Sequence, residues 1–113
     1  MITKEPVTAK GYLYYHRLMW GRIIKEMEKG EILDNNLKRK IWKGLFSFKS
    51  NTNCCFPCAW KDDCQFGWCH NCLLEFKGEP CLDGFYDIAT GITDQRIEAA
   101  KKIRDLPMKE IWK

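Results

Sequence analysis

The sequence predicts a mainly α protein: two N-terminal helices, a small irregular zinc-ribbon or knuckle-like module in the centre, and one C-terminal helix. Three observations predict it. Apolar residues recur at helical spacing before residue 50 and again after residue 92. Six of the seven cysteines fall within residues 54–72, "CCFPCAWKDDCQFGWCHNC". The stretch that follows them, with "EFKGEP" and "LDGF", is rich in turn formers.

At 113 residues and 13.4 kDa the chain is expected to form one domain, residues 1–113, with a helical part (1–50), a cysteine-rich zinc module (51–92) and a closing helix (93–113). Residues 1–10, with Pro6, predict a poorly structured lead-in. From Tyr12 to about Lys29, Tyr12, His16, Met19, Trp20, Ile23 and Met27 trace one helical face. Gly30 then stands where a C-terminal stop belongs. Asp34 is placed to cap a second helix, "NNLKRKIWKGLF", whose Leu37, Ile41 and Leu45 align at i, i+4 and i+8. "SFKSNTN" predicts a polar connector into the cysteines. Thr93 is a candidate N-cap for the third helix, "DQRIEAAKKIRDL", which Pro107 ends. Ala99, Ile103 and Leu106 form its expected buried stripe, with Ala100 beside them.

Five Trp, six Phe and four Tyr in a chain that is 45% hydrophobic argue for a packed protein rather than a disordered one. No run reaches the ~18 apolar residues that a membrane span requires. The opening "MITKEPVTAK" has no apolar h-region, so a signal peptide is not expected and a cytoplasmic setting is. A reducing cytoplasm and an odd cysteine count both argue against a disulfide framework. The net charge of +4 is unevenly spread. Residues 1–50 carry eleven Lys/Arg against five Asp/Glu, residues 51–92 carry two against six, and residues 93–113 carry six against four. The cysteine segment is therefore the acidic part of a basic chain.

Cys55 with Cys58, and Cys69 with Cys72, form two C-x2-C pairs separated by ten residues. A C-x2-C turn brings two sulfurs to one side of a tight loop, and two such knuckles complete a tetrahedron around a metal. Four thiolates select zinc or iron, and zinc needs no redox partner, so one zinc ion is the expected cofactor. Cys54 adjoins Cys55 and offers an alternative C-x3-C with Cys58, Cys64 lies midway along the connecting loop, and Cys81 follows Cys72 by nine positions. These three read first as small buried hydrophobes. The sharper alternative takes them with His70 as further ligands, giving a second metal or an iron–sulfur cluster. His70, inside the second knuckle, reads rather as a solvent-facing or supporting group. His16, on an apolar helix face, reads as a packing residue.

A C-x-x-C redox motif would be expected to open a helix after a strand, and that context is missing here. There is no H-x-E deaminase partner, no P-loop and no Gly-rich dinucleotide fingerprint. A four-thiolate zinc site is closed to water, so no enzymatic activity is expected. Two functions then compete. Trp60, Phe66 and Trp68, between the knuckles, would anchor a protein partner if exposed, or else form the module's own miniature core. Lys38, Arg39, Lys40 and Lys43, on the second helix, would contact nucleic acid, although a solvated helix face is the plainer reading. The acidic knuckle region would repel phosphates, which confines such contact to the helices.

The segments "CFPCAW", "CHNCLLEF" and "CLDGFYD", with a final helix ending "IRDLP", resemble a group of small tailed-phage and prophage accessory proteins. The resemblance covers roughly residues 11–107 and is most specific at 55–86. It implies Cys55, Cys58, Cys69 and Cys72 as ligands and Cys81 as a recurring extra cysteine. Leu73 stands where those proteins usually have a proline. It also implies a host-cell setting, with a host protein as the partner in takeover or anti-defence.

Overall fold

The computed structural model describes residues 1–49, 56, 73–75 and 93–113, together with the strand backbone at 64–65 and 68–69. Its elements in chain order are α1 (Ala9–Glu28), α2 (Asn35–Leu45), β1 (Cys64–Gln65), β2 (Trp68–Cys69) and α3 (Thr93–Arg104). A short 3-10 turn, Glu110–Trp112, closes the chain. The mainly helical class is as the sequence predicts, and β1 and β2 form one antiparallel two-stranded ribbon.

Local chemistry sets each helix end. Thr8 caps α1 with an extended backbone, and its hydroxyl accepts from the Gly11 N–H at 3.1 Å. At the other end Gly30 takes φ +101°, a left-handed conformation that glycine adopts without a Cβ clash. Its N–H donates to the Met27 carbonyl at 3.0 Å, and the Glu31 N–H reaches back to the Glu26 carbonyl at 3.1 Å. That 6→1, 5→2 pair is a Schellman stop, so Gly30 ends the helix as expected. Asp34 caps α2 by accepting from the Leu37 N–H at 2.8 Å.

α1 is the central element and packs against both α2 and α3. Its buried residues are His16, Met19, Trp20, Ile23, Ile24 and Met27. Being covered on two sides widens the buried arc, which adds Ile24 to the expected stripe and leaves Tyr12 half-buried. α2 buries Leu37 and Ile41 as expected, adds Trp42, and leaves Leu45 half-buried. In α3 the roles of two neighbours reverse. Ala100 is fully buried with Ile103 and Leu106, while Ala99 is only half-buried. Ala100 has no exposed surface, and a one-residue offset in the stripe is a 100° turn of the helix.

Two expected loops are structured. The lead-in is pinned to the end of α2, where the Ile2 N–H donates to Leu45 O at 2.8 Å and the Ser47 N–H to Ile2 O at 2.9 Å. Ile2 and Phe46 form a parallel bridge, and the Tyr15 hydroxyl donates to Lys4 O at 2.8 Å. The start of the connector after α2 is likewise not a free polar strand: Phe46 is buried, and Phe48 packs against the core and accepts from Trp42 Nε1–H at 3.1 Å.

Candidate metal centre and its anchorage

Of the expected ligands, Cys55, Cys58 and Cys72 lie outside the described residues, as do Cys54, Cys81 and His70. Trp60 and Phe66, proposed as partner anchors, also lie outside them. Cys69 and Trp68 are placed by their backbone in β2, and Cys64 in β1. The ribbon pairs Cys64 with Cys69 and Gln65 with Trp68, with two residues, 66 and 67, between the strands. The ribbon thus runs into the second C-x2-C pair and brings the backbone of Cys64 opposite that of Cys69. Among the described residues, no group of three or more His, Cys, Asp or Glu is suited to hold a metal ion.

What the structure adds is how the cysteine segment is tied to the helices. Phe56 sits between Cys55 and Cys58, inside the first pair, and is 2% exposed. Its ring stacks on Trp42 with centroids 4.5 Å apart and planes 13° from parallel. Phe46, at 5.0 Å and 73°, and Tyr15, at 5.5 Å and 78°, present their rings edge to face. Tyr12 and Phe48 complete the box at 6.4 Å and 6.3 Å. Offset-stacked and edge-to-face arrangements suit the ring quadrupoles and add to the burial itself. Sequence reasoning assigns Phe56 no role. The available signal was an aromatic side chain at the residue following the first cysteine of a knuckle, a position from which one short segment can hold a metal and enter a core.

The second anchor follows directly on Cys72. Leu73 and Leu74 are fully buried. The Glu75 N–H donates to Pro107 O at 2.9 Å, and the Lys109 N–H donates to Leu73 O at 3.0 Å, around an antiparallel Leu74–Met108 bridge. Leu74 packs with Leu106 in a small cluster that Leu13 of α1 borders. The residues after α3 therefore clamp the chain just beyond Cys72, and Leu73 supplies both a buried side chain and an acceptor there.

The four basic residues of α2 are not equivalent. Arg39, Lys40 and Lys43 are exposed, whereas Lys38 is half-buried. Arg39 and Lys43 are four apart and share the outward face. Lys40 instead lines the trough between α2 and α1.

His16 is a packing group, as its position suggested. It is 2% exposed and its Nε2 lies 3.0 Å from Ile103 O, joining α1 to α3. Its Nδ1 is buried with no hydrogen-bond partner among the described residues. Burial pushes its pKa from 6.5 down to about 4, against the opposing pull of the Ile103 carbonyl. Neutral, with Nε2–H donating, it suits the interface and offers no base to solvent.

No helix among the described residues is long and apolar enough to cross a membrane. Four thiolates at two C-x2-C spacings, each pair adjoining an anchor in the helical core, suit a structural zinc ion. Cys55, Cys58, Cys69 and Cys72 are the residues that would hold it. Set against known proteins, the chain matches no family model, no curated protein and no solved structure.

Proposed function

We propose that this chain is a non-enzymatic, zinc-stapled interaction protein that binds and modulates a partner protein. Cys55, Cys58, Cys69 and Cys72 hold one zinc ion, which supplies folding energy and fixed geometry rather than a reactive water. The observation that carries the reading is Phe56. A residue inside the first C-x2-C pair is buried in the helical core, so the segment that would bind metal is built into the fold rather than appended to it. The resemblance to small phage accessory proteins makes a host protein the partner, in host takeover or anti-defence, and the host cytoplasm the setting.

The first test is metal content per chain, by elemental analysis of protein purified without chelator. One zinc per chain is the expected result. Iron, or two metals, would bring Cys54, Cys64, Cys81 or His70 into the ligand set and displace the structural reading. Trp60→Ala and Trp68→Ala should then weaken partner capture while leaving zinc content unchanged.

A second reading, nucleic-acid binding, rests on Arg39, Lys40 and Lys43, which are exposed and form no ion pair among the described residues. Phosphate contacts release counterions, so an affinity for DNA or RNA that did not weaken with rising salt would remove this reading.

A further inference from the structure

We propose that the trough between α1 and α2 is a docking site for an acidic, amphipathic helical segment of a partner protein. This rests on the interaction reading above and moves the contact from the cysteine segment to the helices. The trough encloses about 460 Å³, with Leu37, Ile41 and Leu45 along its floor. A second hollow of about 350 Å³ shares Leu37 and Lys40 with it and continues to Ile32, which is 65% exposed. The two together follow the flank of α2, whose eleven residues span about 16 Å, or three turns. A floor of apolar residues repeating every four positions is the complement of a helix that presents its own i, i+4 row.

Charge fixes the chemistry of the occupant. Arg22 and Lys40 line the trough from opposite helices, are exposed, and form no ion pair among the described residues. Glu26, also on the α1 side, is already engaged by Lys29 at 3.5 Å. Between Asn35 and Leu45, α2 has four cations and no carboxylate. The remaining acids, Glu31 and the capping Asp34, stand at the Ile32 end. The occupant therefore lays its carboxylates over the Arg22–Lys40 end and points its less acidic end towards Ile32. Among the described residues no aromatic side chain lines either hollow, so a nucleic-acid base has nothing there to stack on, and the apolar floor between the cations matches a peptide's side chains rather than a phosphate backbone.

Gly44 makes the proposal testable. It lines the trough, and a Cβ added there would meet nothing within 4 Å. A side chain at Gly44 therefore starts into open space in the trough, and Gly44→Leu should keep the melting temperature and zinc content of the parent protein, both measured beside the binding. The probe is a fluorescein-labelled peptide with leucines at i, i+4 and i+7 and glutamates between them. It is set against a scrambled peptide of the same composition and a single-stranded oligonucleotide. The patterned peptide should bind, and both Gly44→Leu and the Arg22→Glu/Lys40→Glu pair should weaken it by about tenfold or more. Equal binding of the scrambled peptide or of the oligonucleotide overturns the proposal, as does the absence of any binding. Peptide binding that survives Gly44→Leu but is lost in Trp60→Ala overturns the trough and leaves the interaction reading standing.

Discussion

The helical frame and the cysteine segment offer different chemistry for holding a fold. The frame, residues 1–49 with 93–113, is built from caps that satisfy their own helix ends and from side chains buried along three helices. The cysteine segment meets that frame, among the described residues, at Phe56 and at Leu73–Leu74. Two apolar anchors some seventeen residues apart along the chain are too few to offset the conformational entropy of ordering what lies between them, at ~1–2 kcal/mol per residue for the backbone alone. On the zinc reading proposed above, the paired thiols supply what apolar burial at two points does not. On that reading stability is redundant in the frame and rests on one ion in the cysteine segment.

Breaking the ion should therefore give the largest effect. Zinc binding is worth ~10–16 kcal/mol in small zinc peptides, so either chelation or Cys69→Ser should unfold the central module. Helical circular dichroism from α1, α2 and α3 should fall much less than the near-ultraviolet signal of the aromatic box. Equal collapse of both signals would show that the frame does not stand without the module. A Cys69→Ser protein that stayed folded with full zinc would remove Cys69 from the ligand set.

Phe56→Ala attacks the same junction at the ring that enters the frame. Removing a ring that is 2% exposed and stacked on Trp42 should destabilise the protein by about 3–5 kcal/mol in denaturant melts. If the ion and the frame are coupled through this ring, zinc should also leave the variant faster in a competition with a chromogenic chelator. Unchanged zinc release with lowered stability would make Phe56 a core residue and nothing more.

The parts of this fold legible in the sequence are those governed by contacts a few residues apart. Asp34 to Leu37, Gly30 to Met27, and the i, i+4 stripe of α2 are all short-range and leave a periodic trace. The parts that leave no trace in the sequence depend on partners far along the chain. Ile2 pairs with Phe46, Phe56 enters a box made by α1 and the end of α2, and Leu73 is clamped by Lys109. Nothing in the local pattern of "MITKEP" or "SFKS" announces those pairings. The candidate site divides the same way: its spacing is visible in the sequence, but which residue carries the segment into the core is not.

His16 offers a smaller effect that separates the α1–α3 interface from the metal. Its folded pKa of about 4 lies below the ordinary 6.5, so between those values the unfolded chain holds a proton that the folded chain lacks. Stability must then rise with pH across that window, be fully present above about pH 6.5, and be lost as the pH falls towards 4. The size follows from the shift and is about 3 kcal/mol. Asp105 favours the charged ring and Arg17 disfavours it, so both belong to the local balance. Urea melts between pH 7 and pH 4 should show the slope in the parent protein and a flatter one in His16→Gln, which retains a donor for Ile103 O but does not titrate. Equal slopes would place the acid sensitivity elsewhere, with the thiolates as the first candidates.

The smallest effect comes from two glycines and tests whether the frame's local rules act independently of the module. A Cβ on Gly30 or on Gly44 would meet nothing within 4 Å, so packing alone predicts the same result for both alanine variants. The backbone predicts opposite results. Gly30 sits at φ +101°, where any L side chain is strained, and Gly30→Ala should destabilise by about 1 kcal/mol or somewhat more. Gly44 lies within α2, where glycine is the poorer helix former, and Gly44→Ala should stabilise by about 0.5–1 kcal/mol. Paired denaturant melts read the sign of each directly. Zinc content should be the same in both, because neither change reaches Phe56 or Leu73. A change in zinc content with either variant would mean that the frame transmits its local strain to the cysteine segment, and the division between the two regions would then be one of chemistry but not of energetics.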